Sequence, residues 1–179
     1  YGFEELGHSV TKINYRKTLF INLKLLSLCK KQDLLIIGKG EAISPLILKQ
    51  ITIPKVLWYG DQREPIQKWL VNRVKQVDLF LKTTAGERLE TYHKLTNTPS
   101  SFFMVPCNPS LYTPTTTYST DIFFAGSPLS NLGDELRHQI LNQLSKKTNF
   151  KWFGKSPDTM IKGSKYSQEI CRGKILINL

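Results

Sequence analysis

Short, unbroken apolar runs recur along the chain without alternating apolar and polar positions. A run of this kind is typical of a strand that is covered on both faces, as in a parallel sheet between layers of helices. The pattern predicts strands at residues 33–38, 55–60, 78–82, 102–106, 121–126, 150–154 and 174–178. Val10 and Ile13 predict a further extended run near the start.

Helical patterns lie between these runs. Apolar residues recur at helical spacing over 17–31 and 64–77, and again from Leu132 to Leu144. Thr84 and Glu87 have the spacing of a T-x-x-E capping box, which predicts another helix start. A short helix is also expected before the last strand. Strands that alternate with helices indicate an α/β fold with right-handed crossovers.

The stretch "NPSLYTPTTTYST" (108–120) interrupts this alternation with prolines and small polar residues. Such a composition favours an exposed connection between domains. We therefore predict two Rossmann-like parallel-sheet domains, the first over residues 1–113, a linker over 114–120, and the first half of a second domain over 121–179. The opening "YGFEELG" resembles the tail of a helix, and "KILINL" resembles an interior strand, so we expect both domains to extend further.

The composition indicates the net charge of the protein and its expected cellular location. The 179 residues contain 25 Lys and Arg against 14 Asp and Glu, a net charge of +11, which favours phosphate-bearing or otherwise anionic partners. No apolar run approaches the ~20 residues that span a bilayer, and the three cysteines are far apart in sequence. We expect a cytoplasmic protein with reduced thiols.

Ligands of open parallel sheets bind beyond the carboxyl ends of the strands, so the residues that follow each apolar run are candidate site residues. Glycine turns there let backbone N–H groups approach a diphosphate, and a lysine adds positive charge. The candidates are Asp61, Gly126, Ser127, Gly154, Lys155 and Ser156.

Each candidate also has a structural explanation. The glycines suit tight turns, and Asp61 with Glu64 fits a D-x-x-E capping box. "GKS" at 154–156 ends like a P-loop, but Asn149 stands where its first glycine belongs, so we reject a P-loop. A D-x-D metal-binding pair is missing from the sequence. We therefore expect Lys, Arg and backbone N–H groups, and no metal or other cofactor, to neutralise phosphate.

The order of motifs resembles that of the glycosyltransferases related to the CgeB spore-maturation protein. It consists of "FEELGHSV", "DLLIIG", "IPKVLWYGD", "VDLFLKTTAG", "FFMVPCNPSLYTP", "TDIFFAGSPLSNLGDELRHQIL", "FKWFGKS" and "YSQEICRGKILINL". The resemblance runs over essentially the whole chain, and it is carried by the order and spacing of motifs that are individually weak.

The resemblance implies a metal-independent glycosyltransferase of the two-Rossmann-domain (GT-B) type, a hexosyltransferase-like enzyme that uses a nucleotide-sugar donor. Gly126 and Ser127 would then border the donor diphosphate, and Gly154, Lys155 and Ser156 the nucleotide. Asp61 would bind the acceptor, a glycan, protein or lipid-linked group, or act as base. The family's acid-bearing donor segment would follow residue 179, so we expect these 179 residues alone to be weakly active or inactive.

Two other interpretations remain open. Arg63, Lys68, Arg73 and Lys75 follow "WYGD" and would suit a module that binds nucleic acid. The leucine-rich segment 17–31 with Arg16, Lys17, Lys24, Lys30 and Lys31 would suit contact with an anionic membrane surface.

Overall fold

The computed structural model describes residues 2–61, 65–105, 107–113, 115–126 and 134–177. The chain divides into two compact units, one over Phe3–Pro106 and the other over Cys107–Leu179 together with Tyr1–Gly2. Each unit contains one parallel sheet, so the predicted α/β class is confirmed.

The first unit contains four parallel strands in the order β1-β2-β3-β4. Because all of these strands are parallel, their carboxyl ends lie along one edge of the sheet. The elements are α1 (Gly2–Glu5), α2 (Ile21–Cys29), β1 (Leu35–Gly38), α3 (Pro45–Gln50), β2 (Lys55–Tyr59), α4 (Lys68–Val74), β3 (Leu79–Lys82), α5 (Glu87–Thr96) and β4 (Ser100–Phe102).

The second unit contains three parallel strands in the order β6-β5-β7. The predicted short helix before the last strand is confirmed. The elements are a 3₁₀ turn (Pro109–Leu111), β5 (Thr120–Ala125), α6 (Asp134–Lys147), β6 (Phe150–Phe153), a 3₁₀ turn (Pro157–Thr159), α7 (Gly163–Cys171) and β7 (Gly173–Leu176).

Six of the seven apolar runs are strands where the pattern predicts them, but the fourth strand is shifted. We predicted residues 102–106, whereas β4 pairs with β3 from Ser100 to Phe102. The prediction missed the start of this strand because it relied on apolar side chains, and Ser100 and Ser101 are polar. A strand joins its sheet through backbone hydrogen bonds, which do not depend on the side chain. Apolar residues 103–105 that follow are exposed.

The expectation that every strand is covered on both faces is wrong for the outer strands β1 and β7. Ile36, Ile175 and Leu176 are each about half exposed. The inner strand β2 fits the expectation better, since Lys55, Leu57 and Tyr59 are buried and Val56 and Trp58 are partly buried.

Two local predictions near the start are also wrong. Residues 8–14 form no strand, and the helix predicted over 17–31 begins only at Ile21. Phe20, the residue before this helix, has a φ of 51° and lies in the left-handed region, which is incompatible with a continuous right-handed helix through it.

The predicted Thr84–Glu87 capping box does not form. Helix α5 begins at Glu87 and its N-cap is Gly86, so Thr84 lies two residues before the position that a capping box requires. The Thr84 hydroxyl is buried and has no hydrogen-bond partner among the described residues. The start of the helix predicted from Leu132 lies outside the described residues, and its described part ends at Lys147.

The first unit is built around one apolar cluster, which explains why its strands and helices pack as they do. Its buried members are Ile21, Leu25, Cys29, Ile37, Ile43, Leu48, Ile51, Leu57, Tyr59, Leu70, Val74, Val77, Phe80 and Tyr92. None of the described helices is both long and apolar enough to cross a lipid bilayer.

Candidate functional site

Two candidate sites follow from the sheets, one at the carboxyl edge of each. Gly126, Gly154, Lys155 and Ser156 belong to the second unit and Asp61 to the first. Ser127, predicted to border the donor diphosphate, lies outside the described residues.

The structure brings the two predicted glycine turns together. Gly126 follows β5 and Gly154 follows β6, and the register pairs the last residues of these strands, Ala125 and Phe153. Gly154 has a φ of +88°, and a Cβ on it would lie 2.9 Å from the Gly126 carbonyl oxygen. Only glycine permits this approach of one backbone to another.

A small cavity opens beside the paired glycines. Its volume is about 220 Å³, and it is lined by Ala125, Gly126, Phe153, Gly154, Met160, Ile161 and Tyr166. Burial raises the pKa of Tyr166, and the neighbouring Tyr112 raises it further, so this hydroxyl stays protonated and able to donate a hydrogen bond well above neutral pH. The cavity therefore combines apolar walls, two backbone turns and one phenol.

Trp152 supports the glycine turn and the lysine beside it. Its indole Nε1 donates a hydrogen bond to the Gly126 carbonyl oxygen at 3.1 Å. The Lys155 Nζ lies 5.4 Å from the centre of its ring, a cation–π contact. The Lys155 side chain is exposed, so its ammonium is accessible to an anion from solvent. Sequence patterns gave no signal for this role of Trp152, which resembles any other apolar strand residue.

Ser156 has a structural role. It precedes the 3₁₀ turn Pro157–Thr159, and its backbone N–H donates to the Thr159 hydroxyl at 3.0 Å. The Thr159 backbone N–H donates in turn to the Ser156 carbonyl at 3.1 Å. These bonds fix the backbone that follows Lys155.

Asp61 lies beyond the end of β2 and forms an ion pair with Lys39, which follows β1. The Lys39 Nζ donates to both carboxylate oxygens of Asp61, each at 2.7 Å. Lys39 has a φ of 65°, an uncommon conformation for a residue with a side chain. Since α4 begins at Lys68 after Gln67, the alternative that Asp61 caps this helix is wrong.

Lys82, which sequence reasoning missed, joins the same edge at the end of β3. It is 1% exposed, and its Nζ donates to the Asp61 backbone carbonyl at 2.6 Å. The ammonium also lies 5.1 Å from the centre of the Tyr59 ring. Burial lowers the pKa of Lys82, and the charge of Arg88 lowers it further, although Asp61 raises it. The sequence signal for Lys82 was its position at the end of an apolar run. Its place beside β2 is set by the register of the sheet.

Arg73, one of the basic residues considered for nucleic-acid binding, is turned into the protein. The Arg73 guanidinium donates to the carbonyls of Gly40, Glu41 and Trp69, at 2.9, 2.7 and 2.9 Å respectively. Burial lowers the pKa of Arg73, as expected for a cation that is turned into the protein. Arg73 therefore holds the loop after β1, while Arg63 lies outside the described residues.

Comparison with known proteins adds no relative. The chain matches no family model and no curated protein. The resemblance to CgeB-related glycosyltransferases therefore depends on the order of the motifs alone.

Proposed function

We propose that this chain carries the donor and acceptor elements of a glycosyltransferase that uses a nucleotide-sugar. In the reaction, the anomeric carbon loses its bond to a diphosphate oxygen and gains a bond to an acceptor oxygen. The acceptor proton passes to a base, and the nucleoside diphosphate departs with the electron pair. Stabilising that departing charge is the main task of the protein.

The observation that carries the proposal is the contact between the Gly154 turn and the Gly126 carbonyl at the carboxyl edge of the second sheet. It places two side-chain-free turns next to the cavity of about 220 Å³. Both glycine N–H groups are already bonded, Gly126 to the Phe153 carbonyl at 2.9 Å and Gly154 to the Thr159 carbonyl at 3.1 Å, so the glycines contribute space beside the cavity and leave the charge of phosphate to Lys155. Carboxyl edges of parallel sheets are also where ligands of open α/β folds bind.

Lys155 supplies the positive charge in this proposal. Its ammonium rests on Trp152 and remains exposed, so a diphosphate can reach it at little cost in rearrangement. The Gly154 N–H donates to the Thr159 carbonyl at 3.1 Å and so stiffens the turn that carries the lysine. A rigid cation beside a developing negative charge lowers the barrier to diphosphate departure.

The acceptor is assigned to the first unit. There, the Asp61 carboxylate either receives the acceptor proton or holds the acceptor hydroxyl, and Lys39 orients it through both oxygens. Lys82 holds the backbone of Asp61 in place through its hydrogen bond to the Asp61 carbonyl. Phosphate is neutralised by Lys155 without a tightly held metal.

Binding of nucleoside diphosphates tests the donor part. By titration calorimetry on this chain, we expect Lys155→Ala to weaken nucleoside diphosphate binding about tenfold, which corresponds to loss of one charge-assisted hydrogen bond. Lys146→Ala is the matched control because Lys146, at the end of α6, is also exposed. Its affinity should equal that of the parent chain.

Two results would contradict the proposal. One is equal affinity of the Lys155→Ala and parent chains, and the other is binding of no nucleoside diphosphate at millimolar concentration. Inorganic diphosphate serves as a further probe, and it should compete with the nucleotide for the same site.

A further inference from the structure

The two residues before α2 and the first turn of this helix expose a group of large apolar side chains. Leu19, Phe20 and Leu23 are 80, 74 and 66% exposed, and we refer to these three residues as the α2 patch. Isolated exposed leucines are ordinary on protein surfaces, but three large apolar residues within five positions form a local apolar surface.

The α2 patch is not the face by which the helix packs on its own unit. That task belongs to Ile21, Leu25 and Cys29, which are all buried in the apolar cluster. Leu23 lies between them on a different face of the helix. Leu23 and the two residues before the helix therefore form a second apolar surface, which does not pack in the core of the unit.

The backbone around Phe20 turns this residue outward. Phe20 adopts a φ of 51° and a ψ of 39°, a left-handed conformation that is unfavourable for a bulky residue. The Lys24 N–H donates to the Phe20 carbonyl at 3.1 Å, and this hydrogen bond fixes the Phe20 backbone at the start of the helix. The exposed aromatic ring is thus held by an ordered backbone.

The charges around the α2 patch are all of one sign along the sequence. Residues 9–32 contain no Asp or Glu, and their basic residues are Lys12, Arg16, Lys17, Lys24, Lys30 and Lys31. Lys17 and Lys24 flank the patch, and both are exposed. No carboxylate in the described part of the chain forms an ion pair with either lysine.

We propose that the α2 patch docks the protein peripherally on an anionic lipid bilayer. Leu19, Phe20 and Leu23 would enter the boundary between headgroups and acyl chains, while Lys17 and Lys24 remain at the level of the lipid phosphates. Anionic lipids complement the positive charge of Lys17 and Lys24, and the acyl boundary takes up the apolar side chains. Nucleic acid would satisfy the lysines but would leave the leucines exposed, so the bilayer explains both features.

This docking surface is independent of the proposed donor site, since its residues all lie in the first unit and Lys155 lies in the second. Loss of nucleoside diphosphate binding would leave the membrane proposal standing, and the reverse also holds. If both are correct, the bilayer is where a lipid-linked acceptor would be met.

Vesicle co-sedimentation tests the proposal on the whole chain. We expect binding to vesicles of equimolar phosphatidylcholine and phosphatidylglycerol, and little binding to phosphatidylcholine alone. Removal of both lysines (K17A/K24A) should weaken binding about 25-fold, from about fivefold for each lysine near an anionic surface. Removal of both leucines (L19Q/L23Q) should weaken it by a similar factor.

Matched controls distinguish the effect of the α2 patch on vesicle binding from the effect of exposed lysines and leucines elsewhere in the chain. K68A/K75A removes the same charge from exposed positions of α4, and L95Q/L136Q removes two exposed leucines from other helices. Both controls should bind vesicles like the parent chain, and circular dichroism should show that all four variants fold.

Three outcomes would overturn the proposal. These are equal binding to neutral and anionic vesicles, equal losses in the patch variants and their controls, or oligonucleotide binding that depends on Lys17 and Lys24 while vesicles are not bound. The last outcome would assign the surface to nucleic acid.

Discussion

Glu41 connects the segment before α2 to the loop after β1. The Tyr15 hydroxyl donates a hydrogen bond to one of its carboxylate oxygens, and the Arg16 guanidinium donates to the other at 3.2 Å. Burial by itself raises the pKa of Glu41, but the Tyr15 hydrogen bond and the backbone N–H of Glu41 lower it. The charges of Arg16 and Lys39 add to this lowering, so the pKa lies below its ordinary value of 4.5.

This network predicts a loss of stability in acid. A carboxyl group with a lowered pKa in the folded state stabilises the protein fully above its unfolded pKa, and the stabilisation is lost as the pH falls through the folded pKa. We therefore expect the free energy of unfolding to decrease below pH 4.5. In Glu41→Gln, urea titrations across this range should show a smaller decrease, because Gln does not titrate.

Glu90→Gln is the control for this measurement. Glu90 is exposed, and its ion pair with Lys94 is long, at 3.9 Å. Its substitution should leave the acid dependence nearly unchanged. An acid dependence of Glu41→Gln identical to that of the parent chain would refute the role given to Glu41.

Side-chain pairing was the part of the candidate sites that the sequence could not reveal. Asp61 was identified from its position after an apolar run, but nothing in the spacing indicated that Lys39, 22 residues earlier, would bind both of its oxygens. That contact depends on the left-handed backbone of Lys39, a conformation that local propensity disfavours for lysine. The burial of Lys82 likewise arises from the sheet register and not from a local pattern.

At the scale of elements, the turn after β6 is the most constrained backbone in the candidate donor site. Any side chain at position 154 meets the main chain of Gly126, which cannot move as a flexible side chain would. We expect Gly154→Ala to lower the free energy of unfolding by about 2–4 kcal/mol, since it adds a steric clash to an unfavourable φ. Chemical denaturation of the two chains measures the difference.

Gly163→Ala provides the matched comparison for that substitution. Gly163 also has a positive φ, 59°, but a Cβ there would meet no atom within 4 Å. Its substitution should cost only about 1 kcal/mol, from backbone conformation alone. Equal losses for the two variants would mean that the approach of Gly154 to Gly126 is not important for stability.

Among the elements, the sequence predicted best those whose pattern is long and apolar. The runs that became β2, β3, β5 and β6 were located to within a residue or two. The six-residue helix Pro45–Gln50 was not predicted, because it is too short to display a helical period. The predicted helix starts failed at Phe20 and Gly86, because both residues have a positive φ where an N-cap residue normally has an extended, negative φ.

For the whole molecule, the division into two units predicts unequal local stability. The large apolar cluster lies entirely within the first unit, whereas the buried apolar residues of the described part of the second are Phe123, Phe124 and Leu141. Because opening free energies follow buried apolar contacts, we expect amide protons of β5 and β6 to exchange faster than those of β2 and β3. Native-state hydrogen exchange with mass spectrometry can resolve these strands.

The same experiment would contradict this expectation if the central strands of both units were protected equally. Such a result would mean that the two units open only together. It would also require the second unit to derive its stability from something other than its own buried side chains.

The strand order of the first sheet has a further consequence for synthesis on the ribosome. Each strand of the series β1-β2-β3-β4 pairs with the strand made just before it, so this sheet can grow one strand at a time as the chain emerges. In the second sheet, β7 pairs with β5 and β6 lies on the other side of β5, so the last ladder waits for residues Gly173–Leu176. The nascent chain can therefore pair β1 to β4 in the sheet that carries Asp61 before the β5–β7 ladder of the sheet that carries Gly154 can form.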